Sequence, residues 1–497
     1  MKKNSFFIFF FKTHMTTTTA STNPLPLHIA GKKITSDSTQ DIIYPYDGST
    51  IDSVCLASPQ HIDQAIEQAQ ASLVHTKKLA PYQKWDILRN IMQWIQDQHE
   101  EFSQLLAREN GKTISESRVE IDRTINTFRI AAAAAEQEMW ESFDLGISQA
   151  WVWRHAIVSS FPIGVVAGIV PFNFPMNLAA HKIAPAIATW CPIIIKPASA
   201  TPLTMLKLAD IVATSGLPAW AFSVVPCSRE VWQQLVEDDR IALLSFTWSP
   251  HVGWKMKAQS NKKKVVLELG WNAAVIIDKN IIDRDHLIKR CITGAYYQAG
   301  QVCISVQRIL EHQDIRDEFV QKFLQAIDAM VIWDPLDPKT DMWGMIDKKN
   351  ADRILERIDE ALEAWATCLA WNKRLSDTLL APTLLENVPM DCNVVAEEAF
   401  GPVAVLDTFA TLQEAIDKVN DSVFGLQVGV FSDNIQDIRH IFEESVVWWV
   451  IHNDVPSFRV DSMPYGWVKD SGLWREGIRY AMDDMQEKKV LVVDTRR

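Results

Sequence analysis

Four polar side chains stand at points along the chain where apolar runs stop. They are Asn173, Lys196, Glu268 and Cys303, the last in the turn GQVC at 300–303. A thiolate can attack carbon, an amide can stabilise an oxyanion, and a carboxylate can accept a proton. Together these residue types supply a nucleophile, an amide donor, a cation and a base, which are the groups used in covalent catalysis.

Each of these residues taken alone has a simpler interpretation. A lone cysteine is usually a small buried hydrophobic residue, and we expect this role for Cys291. The segments PFNFP (171–175), KPAS (196–199) and ELG (268–270) favour a functional role for Cys303, because each follows or ends an apolar stretch.

The elements around these residues predict an α/β fold. Apolar runs at 163–170, 191–196, 221–225 and 241–246 alternate with helical patterns such as 203–213. Strands that alternate with helices indicate a parallel, doubly wound sheet, which binds ligands at the carboxyl ends of its strands. A second α/β unit follows from about 271 to 455, and the last apolar strand covers 490–493.

Composition excludes several classes of protein. The 497 residues carry a net charge of −13, which argues against a nucleic-acid partner. No apolar run reaches the ~18 residues of a membrane span. Seven cysteines without a CxxC pair indicate a reducing compartment, hence the cytoplasm, and no HExxH or similar spacing predicts a metal site.

The first fifteen residues require a separate interpretation. Two lysines precede a short phenylalanine-rich run, as in a signal peptide, but Lys12 and His14 end that run early. We expect residues 1–15 to be a non-functional extension, with Met15 as the true start; an export signal is the alternative.

Seven motifs occur in the order found in the aldehyde dehydrogenase superfamily. They are PFNFP, IIIKPAS, LSFTxS, LELG, GQVC, EEAFGP and PYGxVKDSGLxREG. From about residue 28 to the C-terminus the chain therefore resembles this family. The resemblance implies an NAD(P)-binding domain at 16–145 and 164–270 and a catalytic domain at 271–465. It also implies an oligomerisation arm at 146–163 and 480–497, and hence a homodimer or homotetramer.

The resemblance also implies a mechanism that oxidises a small-molecule aldehyde to a carboxylic acid. Cys303 would attack the aldehyde to form a thiohemiacetal, with the oxyanion held by Asn173 and the Cys303 backbone N–H. Glu268 would then activate water to hydrolyse the thioester. Family members that transfer the acyl group to coenzyme A lack a working base at this position, so Glu268 favours hydrolysis. A coenzyme A-acylating semialdehyde dehydrogenase is the alternative.

The cofactor roles follow from the same resemblance. Lys196 would bind the adenosine ribose, and Glu398 and Phe400 would orient the nicotinamide ribose. Ser249 would hold the pyrophosphate at a helix N-terminus, in the cofactor-binding turn that also contains Trp248. Many NAD-preferring members carry glutamate in place of Ser199. The serine removes its repulsion of a 2′-phosphate, so either NAD or NADP is expected.

Tryptophan replaces glycine at several family positions. These positions are 190, 248, 271, 467 and 474. An indole at 248 would fill the pyrophosphate space, and one at 271 would crowd the approach to Cys303. The chain has 19 tryptophans and only 18 glycines, about half the usual share of glycine. Trp85, Trp94 and Trp254 fit helical faces. If all the other tryptophans are counted as glycine, the glycine content reaches the usual share.

Two explanations of this pattern are open. A codon that means glycine in the source organism, such as a reassigned UGA, is one explanation. A diverged and non-catalytic relative is the other, although drift would scatter replacements over many residue types.

Overall fold

The computed structural model describes residues 23–137 and 140–496, so the predicted extension at 1–15 lies outside the described residues. The helices are α1 (Pro59–Thr76), α2 (Pro81–Asp97), α3 (His99–Asn110), α4 (Ile114–Glu136), α5 (Pro175–Ala188), α6 (Leu203–Thr214), α7 (Arg229–Glu237), α8 (Pro250–Gln259), α9 (Arg284–Tyr296), α10 (Arg316–Asp328), α11 (Lys348–Glu363), α12 (Asn393–Ala396), α13 (Leu412–Asn420), α14 (Ile435–Glu444) and α15 (Ile478–Asp484).

The strands are β1 (Leu27–Ile29), β2 (Lys32–Ile34), β3 (Thr39–Ile43), β4 (Thr50–Cys55), β5 (Glu141–Asp144), β6 (Arg154–Pro162), β7 (Val165–Ile169), β8 (Ile193–Lys196), β9 (Phe222–Val224), β10 (Ile241–Thr247), β11 (Lys264–Glu268), β12 (Ala274–Ile277), β13 (Arg308–His312), β14 (Thr367–Ala370), β15 (Thr383–Glu386), β16 (Val403–Phe409), β17 (Phe424–Gly425), β18 (Gln427–Phe431), β19 (Trp449–His452), β20 (Tyr465–Gly466), β21 (Val468–Lys469), β22 (Gly472–Leu473), β23 (Arg475–Glu476) and β24 (Gln486–Asp494).

The first large sheet has the strand order β2-β1-β9-β8-β7-β10-β11-β22. Strands β9, β8, β7, β10 and β11 are parallel, whereas β1 and β22 add antiparallel edges. Every residue of β7 and β8 is buried, as expected for parallel strands covered on both faces. Chain order changes direction between β7 and β10, which places the ligand crevice at the carboxyl ends of these strands.

The second sheet has the order β14-β15-β16-β13-β12-β18-β19 and is parallel except for β14. Its inner strands are apolar and buried; β12, for example, reads AVII and is buried at all four residues. Helices α9, α10 and α11 pack on this sheet around its own hydrophobic core.

A small three-stranded sheet, β24-β6-β5, joins two segments that are far apart in sequence. Strands β24 and β6 pair antiparallel over nine residues, from Gln486 with Pro162 to Asp494 with Arg154. Strand β5, which falls inside the range expected for the cofactor domain, also belongs to this sheet. We refer to these three strands as the arm.

The predicted α/β class is therefore confirmed: a doubly wound sheet, a second α/β unit and a small β arm. The domain boundaries themselves stay a prediction. Among the helices of the described residues, none combines the length and the apolar character needed to cross a lipid bilayer.

Candidate active site

One cavity of about 520 Å³ lies at the carboxyl ends of the first sheet. It collects side chains from both large α/β units. Of the residues expected in the site, those that line it are Asn173, Trp248, Ser249, Glu268, Cys303, Glu398 and Phe400. A cavity of this size is typical of small-molecule and cofactor sites.

Cys303 lies in a loop with unusual backbone geometry. Gln298, Ala299 and Gly300 have φ values of 51°, 52° and 67°. A Cβ atom on Gly300 would overlap the carbonyl oxygen of Gly401, so only glycine allows this close approach. The Gln298 backbone N–H also donates to Glu116 Oε1 at 2.5 Å. The loop is thus held from two sides, and it leaves the Cys303 side chain partly exposed to the cavity.

Asn173 follows β7, and the backbone there is fixed by buried groups. Its carbonyl oxygen accepts hydrogen bonds from Lys112 Nζ at 2.6 Å and from Gln298 Nε2. Lys112 in turn pairs with Glu120 at 2.5 Å, and Glu120 Oε1 accepts the N–H of Met176 at 2.8 Å. These contacts fix the Asn173 backbone, and the side-chain Oδ1 accepts the N–H of Phe174 at 3.1 Å. An amide held in this way is suited to stabilising developing charge.

Glu268 ends β11 and belongs to a buried pair of carboxyl groups. Burial, followed by the charge of Glu476, raises its pKa well above the ordinary value. Its Oε2 accepts a hydrogen bond from Thr247 Oγ1 at 2.9 Å, whereas its Oε1 has no partner within the described part of the chain. Glu268 is therefore the member of the pair that holds its proton more strongly.

Glu476 stays ionised because cations surround it. Burial alone would raise its pKa, but Lys182 first and then Glu268 and Arg459 hold the pKa well below the ordinary value. Lys182 Nζ lies 3.4 Å from Glu476 Oε1 and donates to Thr247 Oγ1 at 2.8 Å. The result is a polar chain from Lys182 through Thr247 to Glu268. Lys182 comes close to the sheet because Gly168 of β7 lacks a side chain.

Few neighbouring groups would stabilise the thiolate form of Cys303. Burial, and then the negative charge of Glu268, raises its pKa to about 12, and Arg459 opposes this rise. Its Sγ lies 4.0 Å from the hydroxyl of Tyr465, whose ring carries the Arg459 guanidinium at 3.8 Å from its centre. Burial thus favours the neutral thiol in the free enzyme.

Glu398 and Phe400 form the opposite wall of the cavity. Burial raises the pKa of Glu398 to about 7, and Arg353 is the main group that opposes this shift. Arg353 and Arg357 donate to the backbone oxygens of Ala399 and Glu398 at 2.8 and 2.7 Å. These contacts fix the loop that presents the carboxyl group.

The remaining predicted cofactor residues divide into two groups. Ser249 is the N-cap of α8 and makes no side-chain capping bond, which leaves its hydroxyl available to a ligand. Lys196 and Ser199 do not line the cavity; Lys196 is buried at the end of β8, and the carbonyl of exposed Ser199 accepts a bond from Gln40. Ala198 and Ala200, the residues on either side of Ser199, belong to one hydrophobic cluster with Phe172.

A dinucleotide fits most of this arrangement. The α8 N-terminus, Ser249 and the ionisable Glu398 are suited to pyrophosphate and ribose hydroxyls. The side chain that does not fit is Trp248, whose indole stands at the mouth of the cavity against Phe172, with ring centres 5.7 Å apart.

Sequence reasoning did not single out Lys182, Thr247, Arg459 and Glu476. Two signals were present: Thr247 lies inside LSFTxS and Glu476 inside PYGxVKDSGLxREG. Their contact with Glu268 was not predictable, because Lys182 and Glu476 are 294 residues apart in sequence.

Comparison with known proteins identifies the family. Residues 33–491 match the model of the aldehyde dehydrogenase family. The chain is 35% identical over 469 residues to 3-sulfolactaldehyde dehydrogenase of Priestia aryabhattai, covering 94% of this chain and 98% of that protein. The chain therefore belongs to the aldehyde dehydrogenase family.

Solved structures confirm the aldehyde dehydrogenase fold. Aldehyde dehydrogenase 21 from Physcomitrella patens, in complex with the reaction product succinate, superposes with a TM-score of 0.93 at 39% identity, covering 95% of this chain and 99% of that one. The glyceraldehyde-3-phosphate dehydrogenase of Methanocaldococcus jannaschii, complexed with NADP, superposes with a TM-score of 0.88 at 33% identity, covering 92% and 100%.

Proposed function

We propose that the chain oxidises an aldehyde to a carboxylic acid with NAD or NADP, through a thioester on Cys303. The observation that carries this proposal is the meeting of Cys303, Glu268 and Asn173 around one cavity. The cofactor, when bound, supplies the hydride acceptor. Ser249, Glu398 and Phe400 would hold it in the cavity, and Lys196 and Ser199 would contact its adenosine end.

Cys303 would begin the reaction by giving up its proton and attacking the carbonyl carbon. The new C–S bond turns the carbonyl oxygen into an oxyanion, which the Asn173 amide and the Cys303 backbone N–H would stabilise. Loss of hydride from the same carbon restores a C=O bond and leaves a thioester on sulfur. Because the pKa of Cys303 is about 12, ionisation has to be coupled to substrate binding or to a proton acceptor.

Glu268 would complete the cycle as the base that activates water. This step requires the carboxylate form of Glu268, which the hydrogen bonds from Lys182 to Thr247 and from Thr247 to Glu268 Oε2 would stabilise. Water then adds to the thioester, Glu268 takes its proton, and the C–S bond breaks to release the acid and the Cys303 thiolate.

The alternatives are acyl transfer to coenzyme A and a non-catalytic role. A single assay separates the three: reduction of NAD or NADP by a panel of aldehydes, with and without coenzyme A. We expect reduced cofactor and free acid without coenzyme A. Formation of an acyl-coenzyme A would support the second function, and no reduction by a correctly folded protein would support the third.

We further propose that the aldehyde carries an anionic group. Two guanidinium groups lie near this part of the site. Arg459, paired with Glu476, opposes the rise in the pKa of Cys303. Arg123, paired with Asp461, lies 5.9 Å from the ring centre of Phe174, the residue after Asn173. The relatives described above are named for a sulfonated and a phosphorylated aldehyde or are bound to a dicarboxylate. Charged aldehydes should give a higher kcat/KM than uncharged aldehydes of equal length, and equal values would contradict this proposal.

We propose that the protein works in the cytoplasm as a homodimer or homotetramer. All seven cysteines are free, which supports a reducing compartment. Strand β24 forms an edge of the arm, and its residues Val490 and Leu491 are 59% and 60% exposed. An exposed apolar edge strand is a site for pairing with another subunit.

A further inference from the structure

Four tryptophans have backbone conformations that belong to glycine. They are Trp190, Trp365, Trp371 and Trp474, with φ values between 60° and 70°. Side chains with a Cβ rarely adopt positive φ, and the exceptions are mainly asparagine and aspartate. A tryptophan at such a position is an outlier, and four in one chain form a pattern.

Two of the four occupy the same place at helix C-termini. After α5, the N–H of Trp190 donates to Ile187 O at 3.1 Å and the N–H of Cys191 to Ala186 O at 2.8 Å. These paired bonds define the Schellman motif, in which the residue at the Trp190 position is usually glycine.

The end of α11 repeats this arrangement. Trp365 N–H donates to Leu362 O at 3.1 Å and Ala366 N–H to Ala361 O at 3.0 Å. Helix α6 has glycine at the position after its C-cap: this residue is Gly216, with φ of 97°.

In several other tryptophans the polar group of the ring, the indole N–H, lacks a hydrogen-bond partner among the described residues. The buried indole N–H groups of four residues have no hydrogen-bond partner among the described residues: Trp271, Trp343, Trp448 and Trp467. Buried tryptophans usually find such a partner. Trp365, in contrast, is 91% exposed, although tryptophan is largely buried in most proteins.

A second group of tryptophans has the ring contacts and the backbone conformation that are usual for this residue type. Trp85 lies in α2 and packs under Arg89, whose guanidinium carbon is 4.5 Å from the ring centre. Trp254 lies in α8 and its indole N–H donates to Asp470 O at 3.3 Å. Neither these two residues nor Trp94 has a positive φ.

We propose that the natural protein carries glycine at 190, 248, 271, 343, 365, 371, 448, 467 and 474, and tryptophan at 85, 94 and 254. The codon at the first group of positions is then read as glycine in the source organism. Glycine at 248 and 467 removes two indoles from the lining of the active-site cavity and clears the approach to the α8 N-terminus.

Peptide masses of the protein isolated from its source organism test this proposal. We expect peptides that contain positions 248, 365 and 474 to have the lower mass of glycine, and peptides that contain 85 and 254 to retain tryptophan. Tryptophan at position 248 in the natural protein overturns the proposal. The gene provides a parallel test, because the two groups should use different codons.

Calorimetric titration with NADP tests the consequence for the cavity. A recombinant protein with glycine at the nine positions should bind NADP at least about tenfold more tightly than the tryptophan form, a gain of ~1.4 kcal/mol. Trp85→Phe, far from the cavity, should leave the affinity unchanged. Equal affinity of the two forms would show that the indoles do not obstruct the cofactor, whatever the peptide masses are.

Discussion

Glu268 and Glu476 form a pair in which one carboxyl group has a raised pKa and the other has a lowered pKa. The difference comes from the Lys182 ammonium, which stands beside Glu476 and reaches Glu268 only through Thr247. The raised pKa means that Glu268, which we propose as the base for thioester hydrolysis, gives up its proton less readily than an exposed carboxyl group.

Glu268→Gln should separate the two halves of the reaction. We expect turnover to fall by ~10²–10⁴, because an amide cannot accept the proton of water. The first half should persist, so a burst of reduced cofactor equal to the enzyme concentration should appear in stopped flow. Glu363→Gln, an exposed carboxylate at the end of α11, is the control and should turn over normally. A Glu268→Gln enzyme without a burst would contradict this role.

The raised pKa of Cys303 predicts a pH-dependent labelling rate. Only the thiolate reacts with iodoacetamide, so labelling of the free enzyme should be slow at pH 7 and rise about tenfold per pH unit up to pH 9. Peptide mapping measures the rate at Cys303, with free glutathione as the reference thiol. A fast and pH-independent rate would mean that the thiolate is already formed.

At the scale of elements, much of the fold was predictable from residue patterns. The apolar runs at 191–196 and 241–246 predict β8 and β10 closely, because buried parallel strands carry apolar residues on both faces. The arm was harder to predict: β5 reads ESFD and all four residues are exposed, so no apolar alternation marks it.

The residues of the candidate site were predictable only where they belong to a recognisable sequence motif. The seven predicted residues that line the cavity come from quoted motifs. The cations around Glu476 are set by tertiary packing: Arg459 reaches Glu476 Oε2 at 3.1 Å from a loop without a recognisable pattern.

The residue after a helix C-cap gives a prediction with opposite signs at two positions of positive φ, Trp365 and Gly216. Trp365→Gly should raise the free energy of unfolding by ~1–2 kcal/mol, because it relieves a left-handed residue and the 91% exposed indole has little packing to lose. Gly216→Ala, at the same place after α6, should lower it by a similar amount. Urea denaturation measures both. A loss of stability in Trp365→Gly would show that the indole contributes more than its conformation costs.

At the scale of the whole molecule, we propose that the arm mediates assembly. Lysine at both Val490 and Leu491 places charge on both faces of β24, so subunit pairing through this edge should fail and light scattering should report a smaller particle. The charge exchange Glu487→Lys with Lys489→Glu, on the same strand, should preserve the assembly. An unchanged mass in the lysine variant would place the interface elsewhere.

Glu311 predicts how global stability varies with pH. This residue of β13 is fully buried, its carboxyl oxygens have no hydrogen-bond partner in the described chain, and burial raises its pKa to about 9 against the opposing charge of Arg316. Between pH 4.5 and 9 the unfolded chain has lost this proton and the folded chain retains it, so its contribution to stability falls as pH rises through that window.

Glu311→Leu should therefore stabilise the protein at pH 8 by ~1–3 kcal/mol and flatten its stability profile in thermal melts between pH 5 and 9. Glu386→Leu is the contrasting variant, because it leaves Arg316 without its two bonds of 2.6 and 2.7 Å and should destabilise the protein throughout this range. An unaltered profile in Glu311→Leu would mean that this carboxyl is solvated or paired.

The close contact of Gly300 with Gly401 has a mechanical consequence. The loop that contains Cys303 and the loop that contains Glu398 and Phe400 meet here through their backbones, with no side chain between them. We therefore expect Cys303 and Glu398, the carboxylate proposed to bind ribose, to move together. Any hinge motion between the two α/β units would then shift both residues relative to Lys196. Binding and release of a dinucleotide would then change the distance from these residues to Lys196, at the adenosine end. The distance between Cys303 and Glu398, at the nicotinamide end, would stay constant.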